Sequence, residues 1–176
     1  MPDLSPTRLT ATPNPAPEPS PQRHALRVYW EDTDAGGVVF YANYLKFFER
    51  ARTEWLRALG LGQQRLRDET GAIFIVTDTA LRYLAPARLD DLLSVSVKLT
   101  ALGRASMSLA QQAWRDDTLL CEGQIRIACV DAASFVPRRF PTQLSQLLYE
   151  AGAPTPTATP PRSETPETPD TPGTPP

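Results

Sequence analysis

The 176-residue chain has one histidine and two cysteines, and no long apolar run. Each shortage excludes something. His24 is the sole imidazole, and Cys121 and Cys129 stand eight residues apart without a CxxC pair, so no metal site is expected. Both cysteines fall in an alternating, strand-like segment and read as buried structural thiols. No stretch approaches the roughly 18 apolar residues of a membrane span, and the first residues hold no apolar core of signal-peptide length. The expected location is the cytoplasm, with no transmembrane segment. A formal net charge of −2 leaves no basic footprint, so nucleic acid is not an expected partner.

Proline is scarce in the middle of the chain and crowded at its ends. Of nineteen prolines, seven lie in residues 1–22 and nine in residues 152–176. Both ends are rich in Pro, Thr, Ala, Ser and Glu, a composition that cannot bury enough apolar surface to offset chain entropy. They are expected to be disordered tails, flanking one domain over 23–151. A segment of that length supports one core, not two.

Within that segment the hydrophobic period changes twice. "HALRVYW" (24–30) alternates and reads as a strand. Apolar residues then fall at Tyr41, Tyr44, Leu45, Phe48, Ala51, Trp55, Leu56 and Leu59, three or four apart, predicting an amphipathic helix from about Tyr41, stopped by Gly60. "GQQRLRDET" adds a short helix ending at Gly71. Period two returns over 72–86, 91–102, 104–115 and 118–131, with "RDDT" as a tight turn between the last two. "FPTQLSQLLYE" reads as a closing helix with Pro141 near its start. A strand, a long helix and four long strands predict an α+β fold. One helix covers such a sheet only if the sheet wraps around it, which is the hotdog architecture.

"WEDTDAGGVVFYANY" (30–44) places three carboxylates, Glu31, Asp32 and Asp34, just ahead of that helix. A capping acid must stand within about a residue of the first turn, and Asp34 is too far away. The stretch "RVYWEDTDAGGVVFYANYLKFFERARTEWL" resembles the signature of the 4-hydroxybenzoyl-CoA thioesterase family of hotdog proteins. Its nearest likeness is to the bacterial Tol-Pal system-associated acyl-CoA thioesterases. "YLAPARLDD" (83–91) and "CVDAASFVPRRFP" (129–141) resemble the same group, and the likeness spans the core and neither tail.

The resemblance implies a thioesterase that converts an acyl-CoA and water to a free acid and CoA, without a cofactor. The family's catalytic aspartate falls on Asp34, as nucleophile or general base, with the Tyr41 backbone N–H as oxyanion donor. Gly37, Val38, Arg88 and Arg104 are expected to meet the substrate, with Arg138 and Arg139 as further phosphate candidates. Asp32 is expected to fix the loop, Glu31 to be solvated, and Glu49, on the helix, to be a fallback carboxylate. The Tol-Pal-associated members commonly carry His where Tyr41 stands, so no imidazole role is available here. The family also implies a homo-oligomer, dimer or tetramer, and a link to the cell-envelope Tol-Pal system. Thioester chemistry suits these residues: it needs a base or nucleophile beside the carbonyl carbon and donors facing its oxygen. A non-catalytic acyl-CoA-binding or scaffold protein has no need of Asp34, and an acyl-thioester dehydratase or hydratase generally relies on a histidine that is missing from this stretch.

Overall fold

The computed structural model describes residues 22–152; apart from Gln22 and Gly152, the two proline-rich tails expected to be disordered lie outside the described residues. Strand β1 is Gln22–Arg27, so it starts one residue before the expected domain and ends three before Trp30. A single 3-10 turn follows at Trp30–Asp32. Helix α1 is Asn43–Ala58 and α2 is Gln63–Thr70. Strands β2 (Ala72–Tyr83), β3 (Leu92–Leu102), β4 (Ser106–Arg115) and β5 (Thr118–Asp131) come next, and α3 (Thr142–Glu150) closes the fold. The five strands form one antiparallel sheet in the order β1-β3-β4-β5-β2. The expected α+β layout, a curled sheet around α1, is what the chain adopts.

The curl has local causes. Register shifts at Val76/Asp78, at Leu99/Ala101 and opposite Ala113/Trp114 bend β2, β3 and β5, where Thr77, Thr100 and Leu120 are the extra residues, since an extra residue in one strand sharpens its twist. Alternation then sends Leu93, Val95, Val97 and Leu99 of β3, and Met107 and Leu109 of β4, into the concave face. From β5 come Cys121, Ile125 and Cys129. Helix α1 meets them with Tyr44, Phe47, Phe48, Ala51, Trp55 and Leu56. Tyr41 and Leu45, expected on this apolar face, are exposed instead, and Phe47 takes their place. Both thiols are buried, and burial pushes Cys121 up to about 12 and raises Cys129 as well.

Helix α1 stops where Gly60 predicts. Gly60 takes φ +83°, its N–H donates to Arg57 O at 2.9 Å, and Leu61 N–H donates to Leu56 O at 2.9 Å, the paired bonds of a Schellman end. Gly71 ends α2 in the same left-handed region, at φ +68°. Among the described residues no helix is long and apolar enough to cross a membrane, and no group of three His, Cys, Asp or Glu side chains is placed to hold a metal.

Gly123 on β5 is the seat of the helix. A Cβ there would stand 2.9 Å from Phe48 Cε2, 3.2 Å from Ala80 O and 2.4 Å from Leu81 Cδ2. Leu81 can rotate away, but Phe48 is fully buried and Ala80 O is backbone. Gly123→Ala is therefore expected to destabilise the fold by about 1–3 kcal/mol, the usual cost of overpacking. A urea titration would show it as a lower midpoint at unchanged slope.

Candidate active site

The three acids ahead of α1 have three different fates. Glu31 is exposed. Asp32 is buried, 1% exposed, and its Oδ2 accepts the N–H of Tyr29 at 2.9 Å. Its main-chain carbonyl accepts the Phe40 N–H and Asn43 Nδ2, both at 2.9 Å. One residue thus ties the end of the first strand segment to the first turn of α1, the loop-fixing role expected of it.

Asp34 opens a three-residue hairpin. Its carbonyl accepts Gly37 N–H and its N–H donates to Val38 O, both at 2.9 Å, and Thr33 bridges Val39. Gly37 sits at φ +71°, the left-handed position that follows a type I turn in such loops. Asp34 Oδ1 accepts the Gly36 N–H at 2.8 Å, the two-residue reach by which aspartate stabilises a turn. A Cβ on Gly36 would stand 3.0 Å from that oxygen, so the glycine makes room for the carboxylate. The side chain is exposed, and among the described residues no donor occupies Oδ2. The turn therefore uses one carboxylate oxygen and leaves the other open. Half-buried Val38 completes the loop.

The helix begins two residues later than the pattern predicts. Asn43 N–H donates to Phe40 O at 2.8 Å and its side chain turns back to Asp32, so Tyr41 and Ala42 form a turn ahead of the helix. No side chain caps α1, and among the described residues no acceptor pairs with the Tyr41 or Ala42 N–H. Unpaired N–H groups at a helix start are donors with a positive dipole end behind them. Tyr41 is 62% exposed, and its carbonyl accepts the Tyr83 hydroxyl at 3.1 Å.

Beside Tyr41 lies a cavity of 290 Å³ lined by Val39, Tyr41, Tyr44, Tyr83, Leu84, Ala85 and Pro86. The Tyr44 hydroxyl accepts the Ala87 N–H at 3.2 Å, and burial raises the Tyr44 and Tyr83 phenols above their ordinary values, so both stay neutral walls. A hollow of 330 Å³ on the outer face of the sheet is larger, but its Arg82 is paired with Glu122 and neither Asp34 nor Tyr41 lines it. Tyr41 lines the smaller one, and Asp34 lines neither.

The expected substrate contacts divide between the two ends of the sheet. Arg88, exposed, follows the cavity residues Ala85 and Pro86 at the Asp34 end. Arg104, also exposed, lies in the β3–β4 turn, where its carbonyl accepts Phe140 N–H at 2.9 Å. That turn is at the opposite end, with the start of β2 and the end of β5, because an antiparallel hairpin returns each turn to alternate ends. Arg138 and Arg139 are at that end too. Within one chain, then, Arg104 does not join Asp34 and Tyr41. Glu49 is exposed and accepts the Thr53 hydroxyl at 2.7 Å one turn along α1. His24 is half-buried in β1.

Sequence reasoning missed a buried polar pair. Arg52 Nη1 donates to Gln111 Oε1 at 2.9 Å, and Gln111 Nε2 donates to Phe48 O at 3.0 Å. Burial lowers the pKa of Arg52, against a smaller opposing effect of Glu49. The helical period places Arg52 on the inner stripe, but its partner is 59 residues away and no local spacing announces it.

With this geometry in hand, the known proteins that resemble the chain are informative. A family described as the thioesterase-like superfamily matches residues 28–151. The acyl-CoA thioesterase YbgC of Haemophilus influenzae is 44% identical over 124 residues, covering 70% of this chain and 91% of the relative. The acyl-CoA thioester hydrolase YbgC of Escherichia coli O6:H1 is 43% identical over 123 residues, covering 69% and 91%. Among solved structures, a probable thioesterase from Bartonella henselae aligns at 31% identity with a TM-score of 0.66, covering 69% of this chain and all of that one. A thioesterase superfamily protein from Jannaschia sp. CCS1 shares the fold at a TM-score of 0.71 and 21% identity, covering 80% and 99%.

Asp32 gives this site its first test. Asp32→Ala leaves the Tyr29 N–H without its acceptor and is expected to cost about 1–3 kcal/mol. Asp32→Asn keeps an acceptor oxygen and should cost less. Thermal melts of both variants check the order.

Proposed function

The chain belongs to the thioesterase-like superfamily and is a thioesterase, and we propose that it hydrolyses acyl-CoA through Asp34 and the open start of α1. The observation that carries this is the unequal use of the Asp34 carboxylate: on this exposed side chain Oδ1 is held by Gly36, while Oδ2 has no donor among the described residues. A carboxylate fixed through one oxygen is oriented without being occupied. Its free oxygen attacks the thioester carbon, or takes a proton from the water that does. The Tyr41 N–H, lacking an acceptor, receives the charge that develops on the carbonyl oxygen. Collapse of the tetrahedral intermediate expels the CoA thiolate; on the water route this gives the free acid directly, and on the direct route it leaves an acyl anhydride on Asp34 that water then hydrolyses, the thiolate taking up the proton that the water gives up. Gly37 and Val38 bring main chain close to the thioester, and the tyrosine-lined cavity takes the start of the acyl chain. Arg88 meets the CoA phosphates.

The same reading includes a homo-oligomer. Strand β2 is an edge of the sheet, twelve residues long, without proline or lysine, and Val76 and Tyr83 on it are exposed. Such an edge is a template for pairing. A second copy pairing antiparallel along it gives a dimer, and two dimers a tetramer. The approach to the site then runs along the seam, where the far-end Arg104 of a second copy comes nearer. A cytoplasmic location suits a CoA ester and two reduced thiols, and the Tol-Pal link rests on the motif resemblance.

Asp34→Asn keeps an oxygen for the Gly36 N–H, so folding should persist while the negative charge is lost. Turnover, read as thiol release from an acyl-CoA panel with a thiol-reactive dye, is expected to fall at least roughly a hundredfold at an unchanged melting temperature. A near wild-type rate would move the role to Glu49.

The oxyanion donor is tested at Tyr41. Tyr41→Phe keeps the N–H and should retain most activity. Tyr41→Pro removes it and should cost on the order of 10²–10³ in rate. Circular dichroism must show the Pro variant folded, and a dead Phe variant would refute the backbone account.

A further inference from the structure

The loop from Asp131 to Arg138 holds two large apolar side chains in water and holds them rigidly. Phe135 is 61% exposed and Val136 59%. Phe135 N–H donates to Asp131 O at 2.9 Å and Asp131 N–H to Val136 O at 3.0 Å. Asp131 Oδ1 accepts three bonds, from Ala133 N, Ser134 N and Ser134 Oγ, and Oδ2 faces Arg138 Nη1 at 3.6 Å. These bonds, the Ser134 ones first, hold the carboxyl below its ordinary pKa. Phe135 pays for its place with φ +57°, a conformation unfavourable for an aromatic residue. The loop is also fastened to the head of β2: Ala132 N–H donates to Gly71 O at 2.8 Å, and Arg138 Nη1 to Thr70 O at 2.7 Å. Rigid support and backbone strain, spent on two apolar side chains that touch little within their own subunit, point to an occupant outside it.

We propose that Phe135 and Val136 of one subunit form the outer wall of the tyrosine-lined cavity in the second copy, where they contact the apolar part of the bound acyl thioester. This rests on the β2-paired dimer described above. Parity at the bulge restricts how that pairing runs. The shift between Val76 and Asp78 changes which residue numbers face the helix, so Ala72, Phe74 and Val76 point inward on one side and Thr79, Leu81 and Tyr83 on the other. Full overlap of two antiparallel copies sets Ala72 opposite Tyr83, Phe74 opposite Leu81 and Val76 opposite Thr79. Every inward residue then meets an inward residue. A slip by one residue would set inward against outward.

In that arrangement Tyr83 and Leu84 of the second copy run past Ala72 to the level of Gly71, to which the loop is fastened. Strands in a sheet are about 4.8 Å apart, so two spacings, roughly 10 Å, separate the loop backbone from that cavity wall. An extended phenylalanine and a ligand between them fill such a gap. The cavity as one subunit forms it has only one wall, of Val39, Tyr41, Tyr44, Tyr83, Leu84, Ala85 and Pro86, and is open on the other side.

The test uses the full chain with medium-chain and short-chain acyl-CoA. Replacing both side chains (Phe135→Ser with Val136→Ser) is expected to raise KM for the medium-chain ester roughly tenfold, with little change in kcat and less effect on the short chain. Phe135→Gly relieves the strained backbone, so it should be at least as stable as the wild type, yet its KM should rise in the same direction. A tagged hybrid decides which subunit the loop serves. Pairing a loop-variant subunit with an Asp34→Asn subunit leaves one site with Asp34 facing an unaltered loop from its neighbour. Below KM, that hybrid should recover wild-type kcat/KM per intact Asp34, whereas a loop acting within its own subunit would leave it roughly tenfold down. An unchanged KM, a hybrid without recovery, or a monomer by sedimentation would each overturn the proposal. If Asp34→Asn proved fully active, the catalytic assignment would fall, while the KM of the loop variants would still report on the wall.

Discussion

The seating of α1 in the curled sheet sets the position of everything else. One helix offers its stripe of Tyr44, Phe47, Phe48, Ala51, Trp55 and Leu56, and the sheet must bend to cover it. The bend is possible because three strands carry register shifts, and the closest approach because β5 has no side chain at Gly123. Once the helix is fixed at that depth, its first turn emerges at one end of the sheet. The Asp32 carbonyl and carboxylate then bind the preceding loop to it. A buried carboxylate left without donors would be costly, so the loop has little freedom to leave. The unpaired N–H groups of Tyr41 and Ala42 are presented on a frame that the core holds in place.

On the proposed mechanism Asp34 is at once a turn residue and the reactive group. A type I turn followed by a left-handed glycine favours aspartate at its first position for steric and hydrogen-bonding reasons alone. Here that preference is satisfied through Oδ1. The structural requirement orients the side chain, and on the proposed mechanism the chemistry takes the oxygen that remains. Treating the turn and catalytic readings of such a residue as rivals misses that a carboxylate has two oxygens.

Much of this was legible in the sequence where the signal is local. Strand β5 occupies Thr118–Asp131 as its alternation predicts, and Gly60 and Gly71 end their helices. The start of α1 was misplaced because Tyr41 continues the apolar spacing, whereas the backbone obeys the bonds from Asn43 to Phe40 and Asp32. The grouping of Arg104 with Arg88 needed strand direction, which alternation alone does not supply. Arg52 and Gln111 were invisible as a pair because a contact between a helix and a distant strand has no period.

The two thiols carry a consequence for a protein whose reaction liberates a thiol. Disulfide exchange requires a thiolate, and burial lifts Cys121 to about 12 and raises Cys129 too. Released CoA, or its oxidised disulfide, therefore meets no ready thiolate at either cysteine. Mixed-disulfide capture by its own product is disfavoured, and so is transfer of an acyl group from a thioester onto a cysteine side chain. Neither cysteine competes with Asp34 or water for the acyl group. Keeping both sulfurs in the core thus protects the direction of the reaction as well as the packing.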